Sequence, residues 1–281
     1  ADSRCYTFYL RKNSCWSNGD PVTANDFVYA YKRILNPKLG APYANMLYVI
    51  EGASDYHSGK DIQAQNLQVN ALDDYTLQIR LVNPTPYFLS LLYLSYFSPL
   101  HPTSLEAHNA FSTPGTGWTR PGALISNGPF KLKSWIVNSK IIVERNPYYW
   151  NAPCVKLNEV HFHPVGDRTT EERMFNNGEL HITDAVPENK IPHYRQIQSP
   201  YFYEYPTFSN VAYDINCTRP ALKDPRVRLA LSLAIDRNQL TNCVIQRSAL
   251  PAFCLVPPGI PDYKSSTHLR FDVAQAKALL A

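Results

Sequence analysis

The stretch Trp16-Ser17-Asn18-Gly19-Asp20-Pro21-Val22-Thr23-Ala24-Asn25-Asp26-Phe27-Val28-Tyr29 decides how this chain is read. Thr23-x-x-Asp26 has the form of a capping box with Asp in place of Glu. It predicts a helix that carries Phe27, Tyr31 and Ile34 on one face. Asn36-Pro37 ends that helix, because the residue before a proline is pushed out of the α region. On the N-terminal side, Tyr6-Thr7-Phe8-Tyr9-Leu10 alternates like a strand. On the C-terminal side, Leu77, Ile79 and Leu81 alternate with polar residues and predict a half-buried strand, with a turn at Asp73-Asp74 before it.

Helices and strands go on alternating. Thr169-x-x-Glu172 predicts a second capping box, with Gly178 as the stop. Asp224-Pro225 reads as N-cap plus first-turn proline of a helix with Val227, Leu231 and Ala234 inward. Asp236 is expected to cap the next helix, with Leu240 and Val244 inward. Asp272 is expected to cap the last, with Val273, Ala276, Leu279 and Leu280 on one face. Residues 109–128 are rich in Ser, Thr, Pro and Gly, and are the candidate interdomain crossover. The mixed order predicts an α/β or α+β fold rather than a regular βαβ series. Both ends look cut.

Composition narrows the function classes. Of 281 residues, 44% are apolar and 18% charged, which excludes a disordered chain. The net charge of +4 is spread without a Lys/Arg run, which argues against nucleic acid. The longest apolar stretch, 87–100, is too short and too broken to span a bilayer. No charged-then-apolar leader opens the sequence, so any signal peptide is expected to lie outside it. The 23 prolines imply short elements joined by rigid turns. Most of the 19 tyrosines are expected to be core or half-buried. Cys5, Cys15, Cys154, Cys217, Cys243 and Cys254 form no Cys-x-x-Cys pair and are expected to be mostly small buried hydrophobes.

Motifs for catalysis are missing. There is no G-x-S-x-G elbow, phosphate loop or H-E-x-x-H helix. His161-x-His163 is a metal-type spacing on a strand, but no third ligand is apparent, and two histidines on a solvated face is the preferred reading. The pair Glu171-Glu172 is not read as acid–base chemistry, since adjacent helical residues diverge and a capping box accounts for Glu172. Asn216-Cys217-Thr218 is a formal glycosylation sequon of a kind that often occurs by chance. No catalytic residue, metal ligand or cofactor is expected.

The opening stretch resembles the signature of the oligopeptide-binding proteins, bacterial solute-binding family 5. The similarity continues through Asn36-Pro37, Ala41-Pro42-Tyr43-Ala44, Ala71-Leu72-Asp73-Asp74-Tyr75-Thr76-Leu77 and Pro84-Thr85-Pro86-Tyr87-Phe88. It goes on through Ser126-Asn127-Gly128-Pro129-Phe130, Asn146-Pro147-Tyr148-Tyr149-Trp150 and Gly178-Glu179-Leu180. Its last blocks are Asp224-Pro225-Arg226-Val227-Arg228, Ala234-Ile235-Asp236-Arg237 and Pro251-Ala252. The ordered set covers nearly the whole chain. Within the family, Trp16-Ser17-Asn18-Gly19-Asp20 and Trp118-Thr119-Arg120-Pro121-Gly122 most resemble the oligopeptide and murein-peptide binders.

The resemblance implies a periplasmic-binding-protein-like, class II fold with several lobes, incomplete here, that closes on a peptide by hinge motion. On it, residues 1–115 correspond to the small extra domain, 116–220 to part of the first lobe and 221–281 to the start of the second. It implies a soluble periplasmic or cell-envelope protein that binds short peptides and docks on the membrane permease of an ABC importer. Family members bond the peptide main chain and leave watery pockets for side chains.

By the same resemblance, Tyr43 lines the peptide site, and Thr183, Asp184 and Ala185 form a strand end that touches ligand. The stretch Phe208-Ser209-Asn210-Val211-Ala212-Tyr213 lies near the cleft, with Asn210 and Tyr213 as candidate contacts. A basic position some members use for the peptide carboxylate is Ile245 here, with Arg247 close by as the substitute. The family's opening strands and most of its second lobe, including the acidic partner of the peptide amino group, are expected outside this sequence. A ligand-sensing domain of a cytoplasmic transcription regulator is the alternative, though no helix-turn-helix or basic patch is visible.

Overall fold

The computed structural model describes residues 3–205, 209–245, 249–257, 260, 263–266 and 269–281. The chain divides into two compact units, Ala1–Pro164 and Val165–Ala281. Residues 109–128 lie within the first.

The first unit starts with strand β1 (Cys5–Tyr9) and helix α1 (Ala24–Ile34). The predicted capping box is present: the Asp26 carboxylate accepts the Thr23 main-chain N–H at 2.9 Å. Lys32 and Arg33 in the last turn complement the helix dipole. Short helix α2 (Ala53–His57) leads to the hairpin of β2 (Val69–Asp73) and β3 (Thr76–Arg80). Its turn is set by Asp73, whose carboxylate accepts the Tyr75 N–H at 2.8 Å. The sheet order is β1-β3-β2, all antiparallel, with Cys5 opposite Arg80 and Tyr9 opposite Thr76. Its inner face and α1 bury Tyr31, Leu35, Val69, Leu77, Ile79 and Leu81 in one core. Helices α3 (Phe88–Leu91) and α4 (Pro102–Glu106) follow. The Tyr31 hydroxyl donates to the Phe97 carbonyl at 3.1 Å, and burial pushes its pKa upward.

A second antiparallel sheet, order β4-β5-β6, is built from β4 (Phe130–Ile136), β5 (Lys140–Arg145) and β6 (Glu159–Phe162). The His161 ring lies 3.0 Å from the Glu159 carboxylate, and His163 falls beyond the strand end. Among the described residues no group of three or more His, Cys, Asp or Glu is placed to hold a metal.

The second unit contains α5 (Arg168–Asn176), α6 (Ile191–Gln196), α7 (Pro220–Lys223), α8 (Pro225–Leu233), α9 (Arg237–Gln239), a π-helical turn over Leu240–Ile245, and α10 (Val273–Leu280). Asp224, Asp236 and Asp272 cap their helices as expected, accepting from Arg226, Gln239 and Gln275 N–H. Gly178 closes α5 at φ +77°. Among the described residues no helix is long and apolar enough to cross a membrane.

Five expectations are corrected. The N-cap of α5 is Asp167, not Thr169: its carboxylate accepts both the N–H and the hydroxyl of Thr170, at 2.8 and 2.7 Å. The buried face of α8 is Ala230 and Leu233, packed with Ala276, while Leu231 and Ala234 are exposed. Leu240 and Val244 are both exposed, on a segment that forms a π-helical turn rather than a continuing α-helix. None of the six cysteines is buried, and more tyrosines are exposed than are not. A tyrosine's polar tip makes that exposure inexpensive.

Candidate functional site

Blocks that are far apart in the sequence meet in the first unit. Ser17 N–H donates to the Ser126 carbonyl at 2.7 Å, and Ser126 N–H returns to the Ser17 hydroxyl at 3.2 Å. Asn146 is fully buried. Its amide donates to the Gly128 carbonyl at 2.9 Å, and its side-chain oxygen accepts the Tyr148 N–H at 3.0 Å. Gly19 sits against the Tyr148 ring, and Arg11 lies over Trp150 at 4.2 Å. The Trp16, Ser126 and Asn146 blocks therefore form a clasp.

The Trp16 block is fixed on its other side too. Trp16 Nε1 donates to the buried Asp26 carboxylate at 2.9 Å. The buried His101 ring meets Asp20 at 2.9 Å and packs edge-on against Trp16. That bond to His101, followed by one from Asn18, holds the Asp20 carboxyl below its usual range. These polar side chains are consumed by one another, so the block that best identifies the chain is architectural.

Tyr43 stands apart from the clasp. It takes φ +62°, left-handed backbone that a non-glycine residue adopts at a cost of about 1–2 kcal/mol. Its carbonyl accepts the Met46 N–H at 2.9 Å, which starts the 3-10 helix Ala44–Val49. The ring is 58% exposed and tilts against Tyr96 at 5.5 Å. The strain presents a large aromatic face to solvent.

The other described candidates lie in the second unit. Thr183 and Ala185 are half-buried and Asp184 is exposed, all three outside any helix or strand. Glu171 of α5 accepts the Asp184 main-chain N–H at 2.7 Å. Asn210 is half-buried and its amide donates to the carbonyls of Cys254, at 3.1 Å, and Leu255. Tyr213 is 87% exposed on an irregular run. The hydrogen bonds of these two segments lead to different neighbours. Arg247 and Phe208 lie outside the described residues.

Sequence reasoning missed Glu171, because a capping role was given to its neighbour Glu172. Glu172 instead accepts the Tyr194 hydroxyl at 2.5 Å, a bond that raises the Tyr194 pKa. The available signal was the divergence of adjacent helical residues, which sends two neighbouring carboxylates to two different partners.

A family model described as "Bacterial extracellular solute-binding proteins, family 5 Middle" matches residues 1–281. The periplasmic oligopeptide-binding protein OppA of Salmonella typhimurium is 36% identical over 267 residues, which is 92% of this chain and 47% of that protein. The structure of the Escherichia coli murein tripeptide binding protein MppA matches with a TM-score of 0.89 at 33% identity, covering 99% of this chain and 55% of that one. The crystal structure of Haemophilus influenzae OppA in complex with RPPGFSPFR gives a TM-score of 0.82 at 33% identity, over 91% and 49%. The chain spans about half the length of the curated relatives it matches.

Proposed function

We propose a function from one premise: the chain belongs to the bacterial extracellular solute-binding proteins of family 5, and its fold is that of the periplasmic oligopeptide- and murein-peptide-binding proteins. On this reading it contributes to an extracytoplasmic protein that captures short peptides and delivers them to the membrane permease of an ABC importer. The observation that carries the reading is the family match along the whole chain to relatives named for peptide binding. Those relatives are binding proteins rather than enzymes.

The geometry supports the same chemistry. Residues 183–185 and 211–215 run outside helices and strands, with Val211 and Tyr213 exposed. Main chain of this kind is suited to bonding another main chain, which gives affinity with little dependence on sequence. In the first unit, taken by itself, Tyr43 offers an exposed apolar face with a polar tip. The division into 1–115 as the small extra domain, 116–220 as part of the first lobe and 221–281 as the start of the second is part of this proposal.

Thermal unfolding with and without a pool of di- to pentapeptides tests it, since a ligand bound only by the native state raises the midpoint. A reproducible rise is the expected result, about 2.7 kcal/mol of added stability at a hundredfold excess over Kd. An unchanged midpoint across a cooperative transition overturns peptide capture by this chain.

A further inference from the structure

Three side chains from one turn of α5 hold the chain that follows it. Arg168 pairs with Glu188, Glu171 accepts the main-chain N–H of Asp184 at 2.7 Å, and Glu172 accepts the Tyr194 hydroxyl at 2.5 Å. The helix that carries them is set firmly. Asp167 caps its first turn with two bonds to Thr170, and Gly178 ends it in a left-handed turn. Arg168 and Glu171 are three residues apart and share a face, so they fasten both ends of the 184–188 segment to the same surface of α5.

Residues 183–185 have no sheet ladder or helix to fix their orientation. A main chain without such support samples several orientations, and ordering it on binding subtracts from affinity. The Glu171 bond counters this. It joins an ionised acceptor to a main-chain donor, the stronger class of hydrogen bond, and it meets the central residue of the segment.

We propose that Glu171 is a positioning residue of the peptide site. Its carboxylate fixes the Asp184 peptide unit, and with it the presentation of Thr183 and Ala185, before a peptide arrives. The inference rests on the reading of 183–185 as ligand-facing. It adds a residue that has no need to touch the peptide and that acts through preorganisation.

The test uses the 281-residue chain and a pool of di- to pentapeptides as the probe. Glu171→Ala removes the acceptor. Glu171→Met removes it while keeping the bulk of the side chain, in case alanine loosens the helix. Glu171→Gln retains an acceptor oxygen. Apparent affinity for the pool, melting midpoint and amide exchange at Asp184 without peptide are read for each. The expected result is an affinity about tenfold weaker in the Ala and Met variants, a fraction of what a charged hydrogen bond contributes. Asp184 exchange accelerates in both, the midpoint moves little, and Gln restores most of the affinity. Wild-type affinity in the Met variant overturns the inference while leaving peptide capture standing. An equal loss in Gln and Met overturns it as well, because charge rather than positioning is then at work. A wild-type chain that does not respond to the pool removes the peptide reading itself, and the inference with it.

Discussion

Asp26→Ala removes one oxygen that serves two donors. Oδ2 accepts the Trp16 indole N–H at 2.9 Å and the Thr23 main-chain N–H at 2.9 Å. Asp26 is buried and Trp16 is 2% exposed, so water cannot reach the indole to replace the lost acceptor. An orphaned buried donor costs about 1–3 kcal/mol. The indole takes most of that range. The half-buried Thr23 adds the loss of a capping box, about 1 kcal/mol. The substitution should therefore destabilise the first unit by about 3–4 kcal/mol. Asp26→Asn is the control. It places a carbonyl oxygen where Oδ2 stood and keeps both bonds, losing only the charge assistance, about 1 kcal/mol. The assay is urea unfolding followed by tryptophan emission. All four tryptophans, Trp16, Trp118, Trp135 and Trp150, lie in the first unit, so the signal reports on it alone. Equal destabilisation by Ala and Asn would refute the reasoning, since the cost would then belong to the charge and not to the two acceptor bonds. A cost below about 1 kcal/mol for Ala would refute the claim that the indole is left without a partner.

Gly52→Ala should cost at least about 3 kcal/mol in the same assay, because φ is +81° and the new Cβ would stand 2.2 Å from the Asn66 carbonyl oxygen. Gly40→Ala, at φ +60° with nothing within 4 Å, should cost only the conformational term of about 1 kcal/mol; equal costs would show that the segment around Asn66 yields freely. Acid should destabilise the first unit. Asp20 is held below the usual aspartate range foremost by His101, Asp61 by the Asn66 N–H and Asp73 by the Tyr75 N–H. Carboxylates with depressed folded-state pKa values contribute their stability above the unfolded value and lose it as pH falls through the folded one. Melting midpoints should thus hold from neutrality to about pH 4 and fall below it, less steeply in Asp73→Asn. A midpoint that rises on acidification would contradict this.

Local chemistry was legible in the sequence wherever a single residue type has one strong use. Asp224, Asp236 and Asp272 cap their helices, Gly178 stops α5, and Asp73 makes its turn. Choices that depend on packing were not legible. The run from Pro225 to Leu233 has apolar residues around most of its circumference, so its periodicity allows two faces, and α10 decides between them through Ala276. Asp167 and Thr169 are both good caps two residues apart. The aspartate wins with two bonds from one oxygen, a difference of geometry and not of pattern. The left-handed backbone of Tyr43 had no sequence marker, because a residue held at positive φ by its surroundings leaves no glycine to announce it.

The same division separates the fold from the site. Blocks such as Trp16–Asp20 and Asn146–Trp150 can be recognised because their side chains must meet particular partners, Asp26, His101, Gly128 and Tyr148 among them. Substituting Asp26 leaves the buried Trp16 indole unpaired, and substituting Asp20 leaves the buried His101 ring without its carboxylate. A site that holds a peptide by its main chain imposes no such demand. If residues 183–185 meet a peptide as proposed, the useful groups there are N–H and C=O, which every residue but proline supplies alike. On the proposed reading, the residue type that matters is displaced to whatever fixes the backbone there, and the proposal assigns that to Glu171, thirteen residues upstream on α5. A binder with broad sequence tolerance should therefore keep its most specific side chains in the scaffold, and its ligand residues should be the hardest to find by residue type.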